Sequence, residues 1–314
     1  MVMCVCNEAR IIETHLAFHH HQGVQRAYVY LDHCSDSTAD VLGKYDWVDI
    51  IDASRAPDCP GLPAHQTECA KDALARARAE GMAWLMHIDP DEYAWAEPEP
   101  QGPGSAGALV EMLDACSSDT ELVHLMPREV LPERGLGHRP FWEQCYFQIP
   151  GQVLYREITD PLTGELRALN KWAGHNIGKS ILRTDVDAVP VYAHSWEGCS
   201  GNGEARSLVT EKLGFHYHFV FMGASLWREK YRKLAWEPDT WITGGTVPFP
   251  KQAWKEAASL QSEREAQRYY EESIAIDPSE LERLTRAGII TRDTRLRDAL
   301  RKLTSEGPVP HSRG

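Results

Sequence analysis

The sequence predicts an α/β protein, with a mostly parallel sheet flanked by helices and a helical C-terminal extension. Three observations carry this expectation. Four short runs rich in β-branched and aromatic residues precede residue 93, and helical segments of about 10 to 17 residues separate them. Parallel neighbours need crossovers of that length, whereas hairpins do not. Beyond about Lys251 the chain turns helical in pattern and strongly charged, with Pro278 as punctuation.

The elements follow in order. Val2 to Cys6 reads as a buried strand, and Asn7-Glu8 leads into a helix over about Ala9 to His21 that Gly23 ends. Ala27 to Leu31 is the second strand, and Asp32-His33-Cys34-Ser35-Asp36-Ser37 is turn-rich. Ser35 or Asp36 can cap a helix reaching about Tyr45, and Val48 to Ile51 is the third strand. A Pro/Gly loop, Ala56 to Pro63, opens an Ala-rich helix over Ala64 to Glu80. Gly81 stops it, and Trp84 to Ile88 is a strand running into Asp89-Pro90-Asp91-Glu92-Tyr93. Leu109 to Cys116 is helical, Leu122 to Met126 extended, and 140 to 200 a series of short strand-like pieces. Leu213 to Met222 is a strand and Leu226 to Ala235 a helix. The expected organisation is a catalytic domain over 1–235, a helical extension over 236–304 and a disordered tail over 305–314.

Composition narrows the function. At 314 residues, 42% hydrophobic and 25% charged, the chain has an ordinary globular balance. Lys and Arg number 33 against 46 Asp and Glu, a net charge of −13, which disfavours a nucleic-acid partner. No apolar run reaches the roughly 18 residues of a membrane span, and no basic segment precedes the first strand as in a signal peptide. Eight cysteines lie scattered without Cys-x-x-Cys spacing, which argues against a structural zinc site and for reduced thiols in the cytoplasm. His19-His20-His21 suggests a metal cluster, yet three consecutive helical residues point three ways.

Chemistry concentrates where strands end. Asn7-Glu8, Asp32 to Asp36 and Asp89-Pro90-Asp91 each follow a strand, and open parallel sheets bind ligands outside their carboxyl ends. Paired aspartates after a strand offer hard oxygen ligands suited to Mg²⁺ or Mn²⁺ carrying a diphosphate, although an isolated Asp-x-Asp is usually a solvated turn.

Taken together the residues resemble the family 92-like group of glycosyltransferases, relatives of the large family 2. The matching features are Cys4-Val5-Cys6-Asn7-Glu8, then Glu13, Phe18-His19 and Gly23-Val24, and then Ser35-Asp36-Ser37, Gln66 with Asp72, and Trp84 to Tyr93. Gly178-Lys179-Ser180-Ile181, His194, His216-Tyr217, Phe221, Trp227 and Lys230 continue the series to about residue 234. Thr14 stands where the family usually has Trp, and 100–170 matches little. The resemblance implies a GT-A fold, a Rossmann-like nucleotide-sugar-binding sheet. It also implies transfer of a sugar from a nucleoside diphosphate sugar, UDP-linked by expectation, to an acceptor hydroxyl, with inversion.

On the same resemblance Mn²⁺ (or Mg²⁺) is the cofactor. Asp91 is its direct ligand and His194 or His216 the distant imidazole, with His194 favoured because it ends the strand-like Val189 to Ala193. Cys6, Asn7, Glu8, Asp32, Asp36, Asp89 and Lys179 are the nucleotide-sugar residues; Lys179 lies near the diphosphate and Asp89 near the ribose or behind the metal. Glu129 is the first choice for the base that deprotonates the acceptor, and Asp185 its rival together with Asp187. Trp227, Trp236 and Trp241 can stack on a sugar or fill a core. Two other functions compete: a nucleotidyltransferase or nucleotide-sugar pyrophosphorylase, and a non-catalytic nucleotide-sugar-binding protein. The first wants a Gly-rich basic loop after the first strand, where this chain has Asn7-Glu8-Ala9-Arg10.

Overall fold

The computed structural model describes residues 1–56, 58–97, 104–152, 154, 156–161, 163–169, 177–191, 193–235, 249–260 and 262–305. In chain order the elements begin with β1 (Val2–Val5), α1 (Ile12–His21), β2 (Ala27–Leu31), α2 (Thr38–Leu42), β3 (Val48–Asp52) and α3 (Leu62–Ala79). Next come β4 (Trp84–Met86), β5 (Glu92–Trp95), α4 (Ala108–Asp114), β6 (Leu122–Glu129), β7 (Tyr146–Gln148), β8 (Arg156–Thr159) and β9 (Leu166–Leu169). The chain continues through β10 (Lys179–Arg183), β11 (Ala188–Val191), β12 (Ser195–Cys199), β13 (Ala205–Arg206) and β14 (Thr210–His218). It closes with α5 (Ala224–Leu234), α6 (Phe249–Ala258), α7 (Glu263–Tyr269), α8 (Pro278–Arg286), β15 (Ile290–Arg292) and α9 (Arg295–Ser305).

Two compact units divide the chain. The first comprises Met1–Pro127, Ile177–Tyr217 and Asp298–Gly314, and the second Arg128–Asn176 and His218–Arg297. Both are discontinuous, so they cut across the linear boundaries expected from the sequence: the last helix returns to the first unit, and part of the middle region joins residues beyond 218. The expected tail, 305–314, lies outside the described residues apart from Ser305, and so do 236–248 of the expected extension, with Trp236 and Trp241.

In the first unit β1, β2 and β3 form a parallel sheet, with Val2 opposite Tyr28 and Ala27 opposite Val48. A parallel bridge from Val2 to His87 continues the direction at the end of β4. The parallel pattern stops there. A five-stranded sheet runs β4-β10-β6-β14-β5, and β10 lies antiparallel to both β4 and β6. The sheet is therefore mixed, parallel where helices intervene between strands.

Alternation along the strands explains why β1 is apolar at every position. Met3 and Val5 face one core with Val29, Ile12, Leu16, Leu109 and Met112, which brings α1 and α4 to that side. Val2 and Cys4 face the other with Tyr28, Tyr30, Cys69, Ala73 and Leu74, the side that α3 covers. A strand buried on both faces has no polar position to offer, as a helix-flanked parallel sheet requires. Helix α3 buries Gln66, Cys69, Ala70, Ala73, Leu74 and Ala77, a single stripe at three- and four-residue spacing. Its small residues let the helix lie close to the strands.

Local differences from the expectation have local causes. Helix α1 begins at Ile12 because the Glu8 carbonyl already accepts the N–H groups of Ile11 and Ile12, both at 3.0 Å, which makes residues 9–11 a turn. Strand β5 follows the Asp-x-Asp directly, and β14 ends at His218, although Phe219 to Met222 stay buried.

The second unit has an aromatic core. Trp227 is fully buried, with its ring centroid 5.9 Å from Tyr231 and 5.5 Å from Tyr270, so it fills a core. Strand β15, within a stretch that reads as helical, pairs antiparallel with β7. Helix α8 buries Leu281 and Leu284 and leaves its charged residues largely outside. No helix among the described residues is long and apolar enough to cross a membrane.

Candidate functional site

Parallel pairing puts the carboxyl ends of β1 and β2 together, and the bridge of His87 to Val2 sets the segment after β4 running along β1 in the same direction, so that Asp89 follows toward that end. The Asn7-Glu8 and Asp32 to Asp36 clusters therefore share one edge, and Asp89, like Asp32, acts electrostatically on Cys4 of β1. Hydrogen bonds fasten them. Asn7, at φ 55°, accepts the backbone N–H groups of Ser35 (2.6 Å) and Asp36 (3.0 Å) on its side-chain oxygen. Asn tolerates this left-handed backbone because its short amide bonds locally. The Glu8 N–H donates to the Thr38 hydroxyl at 2.8 Å.

Asp36 accepts from the Thr38 N–H at 2.9 Å and from the Ala9 N–H at 3.2 Å, so from the position before the Ser37 cap it binds the first N–H of α2 and ties down the end of β1. Asp32 is buried and meets the Arg55 guanidinium at 2.7 Å and the Arg55 N–H at 3.1 Å. Arg55 was not singled out in the sequence, because a loop arginine carries no periodic signal. Cys6 is half-buried at the end of β1.

The second part of the site is a buried charged cluster. Lys179, completely inaccessible, places its ammonium 2.7 Å from Asp89 and 3.2 Å from Glu92. The Asp89 N–H donates back to Glu92 at 2.9 Å, closing the Asp89–Glu92 turn. Gln66, from the first turns of α3, donates to the other Asp89 oxygen at 3.3 Å. Burial alone would depress the lysine, but the carboxylates of Asp89 and Glu92 outweigh it and hold the ammonium above its ordinary pKa. Burial likewise pushes the Asp89 carboxyl up, and Lys179 more than reverses it, leaving Asp89 below its usual value. Asp91, also buried, sits between these groups in sequence and acts electrostatically on His15 and Tyr93.

Imidazoles reach this cluster from far along the chain. His216 on β14 is fully buried, with Nε2 3.4 Å from a Glu92 oxygen. His194 occupies the turn between β11 and β12, with Nδ1 3.1 Å from the Gly178 carbonyl. Burial, reinforced by Lys179, pushes His194 down to about 4, and the same causes push His87 to about 4. His216 thus meets Glu92, and His194 feels the charges of Asp89 and Glu92, although both histidines lie more than 100 residues beyond that segment in sequence. The route is the return of the chain through β10 and β14.

Other candidates lie elsewhere. Asp185 is exposed in the turn after β10, where the neighbouring Thr184 N–H bonds the Ala83 carbonyl. That is the amino end of β4, opposite the end carrying Asp89, so the antiparallel direction of β10 keeps Asp185 out of the cluster. Asp187 is exposed in the same connection, just before β11. Glu129 belongs to the second unit, where its buried carboxylate lies 2.9 Å from His218 Nδ1. The histidine triplet diverges as helix geometry requires: His19 is buried, His20 stacks on Trp47 at 4.8 Å, and His21 bonds the Gly104 carbonyl at 3.0 Å. Glu92 is the principal residue the sequence reading left out. Its signal was the Asp-Glu-Tyr that continues the Asp-x-Asp.

A search against protein-family models finds none that matches the chain. A glycosyltransferase-like protein of Arabidopsis thaliana is 24% identical over 225 residues, covering 70% of this chain and 48% of the relative, so the chain matches about half of that protein's length. The crystal structure of HddC from Yersinia pseudotuberculosis aligns over 69% of this chain and 92% of its own, with 13% identity and a TM-score of 0.33, too low to bear on fold or function. What these comparisons support is a distant relationship to glycosyltransferases.

Proposed function

We propose that this chain is a metal-dependent, inverting glycosyltransferase that takes a sugar from a nucleoside diphosphate donor, UDP-linked by preference, to an acceptor hydroxyl. The observation that carries the reading is the pairing of Asp89 and Glu92 with the buried Lys179 on either side of the buried Asp91 in sequence, with His216 beside Glu92 and His194 within the electrostatic reach of Asp89 and Glu92. Carboxylate oxygens together with imidazole nitrogens suit Mn²⁺, and carboxylates alone would suit Mg²⁺ equally well.

Asp91 and one imidazole would hold the ion. In His194, whose Nδ1 lies on the Gly178 carbonyl, the ligating nitrogen would be Nε2, the arrangement common among metal-binding histidines. Bound there, the ion supplies Lewis-acid stabilisation of the diphosphate leaving group. The protein's own contribution is positional. Lys179 and Gln66 hold Asp89 in one orientation, and Lys179 adds a fixed positive charge beneath the site. Asn7 fixes the end of β1 against the Ser35–Asp36 turn, so backbone on both sides of the edge is set before a nucleotide arrives. Preorganised groups of this kind lower a barrier without having to reorganise during the reaction.

The test is turnover of a panel of nucleotide sugars, read as released nucleoside diphosphate. Asp91→Asn keeps the shape but weakens a hard-cation ligand, and we expect transfer to fall by about 100-fold or more, with the circular dichroism spectrum unchanged. Near-native turnover in that variant contradicts the reading.

A further inference from the structure

On the face of the sheet covered by α3, the fold gathers Cys4, His65 and Cys69. One ligand-type atom from each lies within 4.8 Å of the other two. Their spacing conceals them in the sequence, because Cys4 is on β1 and the other two are on one stripe of α3, four residues apart. We propose that these three residues form a binding site for a thiophilic dication, zinc, with two thiolates and one imidazole as ligands and a solvent molecule in the fourth position.

Several independent features support the assignment. Cys69 Sγ and His65 Nε2 are 3.7 Å apart. Zinc–sulfur and zinc–nitrogen bonds of roughly 2.3 and 2.0–2.1 Å at tetrahedral angles separate such ligands by about 3.5–3.6 Å, so the pair is near its bound spacing. None of the eight cysteines is in a disulfide; the Cys4–Cys69 hydrogen bond and burial hold the Cys4 thiol well above its ordinary pKa, so the incoming dication must displace the proton as the sulfur binds. His65 also hydrogen-bonds the backbone of Ala53, which matches the usual outer support of a metal-binding imidazole. Access and charge agree as well. Cys4 and Cys69 are buried, whereas His65 is half-buried and opens the site to solvent. Asp32 and Arg55, charges that act on His65, are bound to each other at 2.7 Å.

On binding, two thiol protons leave to solvent, and the two thiolate charges cancel that of the dication. The resulting neutral centre suits the apolar contact between β1 and α3. It would clamp the start of α3, whose next residue, Gln66, holds Asp89. The zinc assignment itself does not depend on the glycosyltransferase reading.

The test uses the full chain, stripped with chelator and titrated with Co²⁺ as a spectroscopic probe, with Zn²⁺ as competitor. We expect one equivalent of the bound cobalt to carry a thiolate charge-transfer band and the intense visible bands of a tetrahedral site, displaced by zinc. Cys116→Ser and Asp91→Asn should leave these bands intact. Cys4→Ser and Cys69→Ser should abolish them, and His65→Gln, at a half-exposed position that tolerates change, should weaken cobalt binding about tenfold or more. If the bands never appear, or persist in the folded Cys4 and Cys69 variants, the proposal is overturned. If His65→Gln folds normally and binds cobalt as tightly as the native chain, the imidazole is not a ligand and the three-residue site is wrong.

Discussion

Lys179 shows how much of this protein's organisation rests on a single side chain. Its ammonium is wholly buried and touches two carboxylates, Asp89 and Glu92, that are themselves largely sequestered. An isolated buried charge is costly, so each partner is tolerable only because the others are present. Lys179→Met should therefore destabilise the protein by about 3–5 kcal/mol, measured by urea unfolding, because it strands the Asp89–Glu92 pair. A loss below about 1 kcal/mol would mean that the carboxylates find other compensation. Asn7 shows the same economy in a smaller frame: one amide oxygen satisfies two backbone donors of the facing loop. Motif context made the meeting of Asp89 with Lys179 legible, whereas the cap of α2 falls on Ser37, one residue past the Ser35 or Asp36 that the turn suggests. The sequence was silent on Arg55, because an ion pair between a loop and a strand end leaves no periodic trace.

Among the elements, periodicity was a sound guide where a strand or helix buries a regular face. Strand β1 and helix α3 were readable for that reason, the one apolar throughout and the other striped. It failed where pairing is decided at long range. Strand β15 carries three residues in a charged helical region and exists because β7 offers it a partner. Direction was equally hidden: β10 runs antiparallel to β4, which places Asp185 at the wrong end of that strand for the cluster. One element-scale prediction concerns glycine. Gly214 on β14 and Gly81 after α3 have similar dihedrals, φ 66° and φ 70°. A Cβ at Gly214 would collide with the Trp95 carbonyl of β5, whereas at Gly81 it meets nothing within 4 Å. Gly81→Ala should cost only the strain of the left-handed backbone, about 1–2 kcal/mol. Gly214→Ala should cost clearly more, because the strands must separate. Equal unfolding midpoints for the two variants would contradict this account of the β5–β14 contact.

At the scale of the whole molecule, the chain folds into two discontinuous units, and the clustered edge belongs to the first. The strand-end clusters of β1 and β2 could be assigned to one edge from the sequence because parallel strands with crossovers leave their carboxyl ends together. The meeting of Cys4 with His65 and Cys69 could not, because it depends on which face of the sheet α3 covers. We propose the edge carrying Asp89 and Asp91 as a metal-dependent nucleotide site. Calorimetric titration of UDP into the purified chain tests it most directly, with Mn²⁺ in one arm and chelator in the other. The account predicts affinity at least about tenfold higher with Mn²⁺, roughly 1.4 kcal/mol, and loss of that difference in Asp91→Asn. Equal affinity in the two arms, or a manganese effect that survives Asp91→Asn, would contradict it.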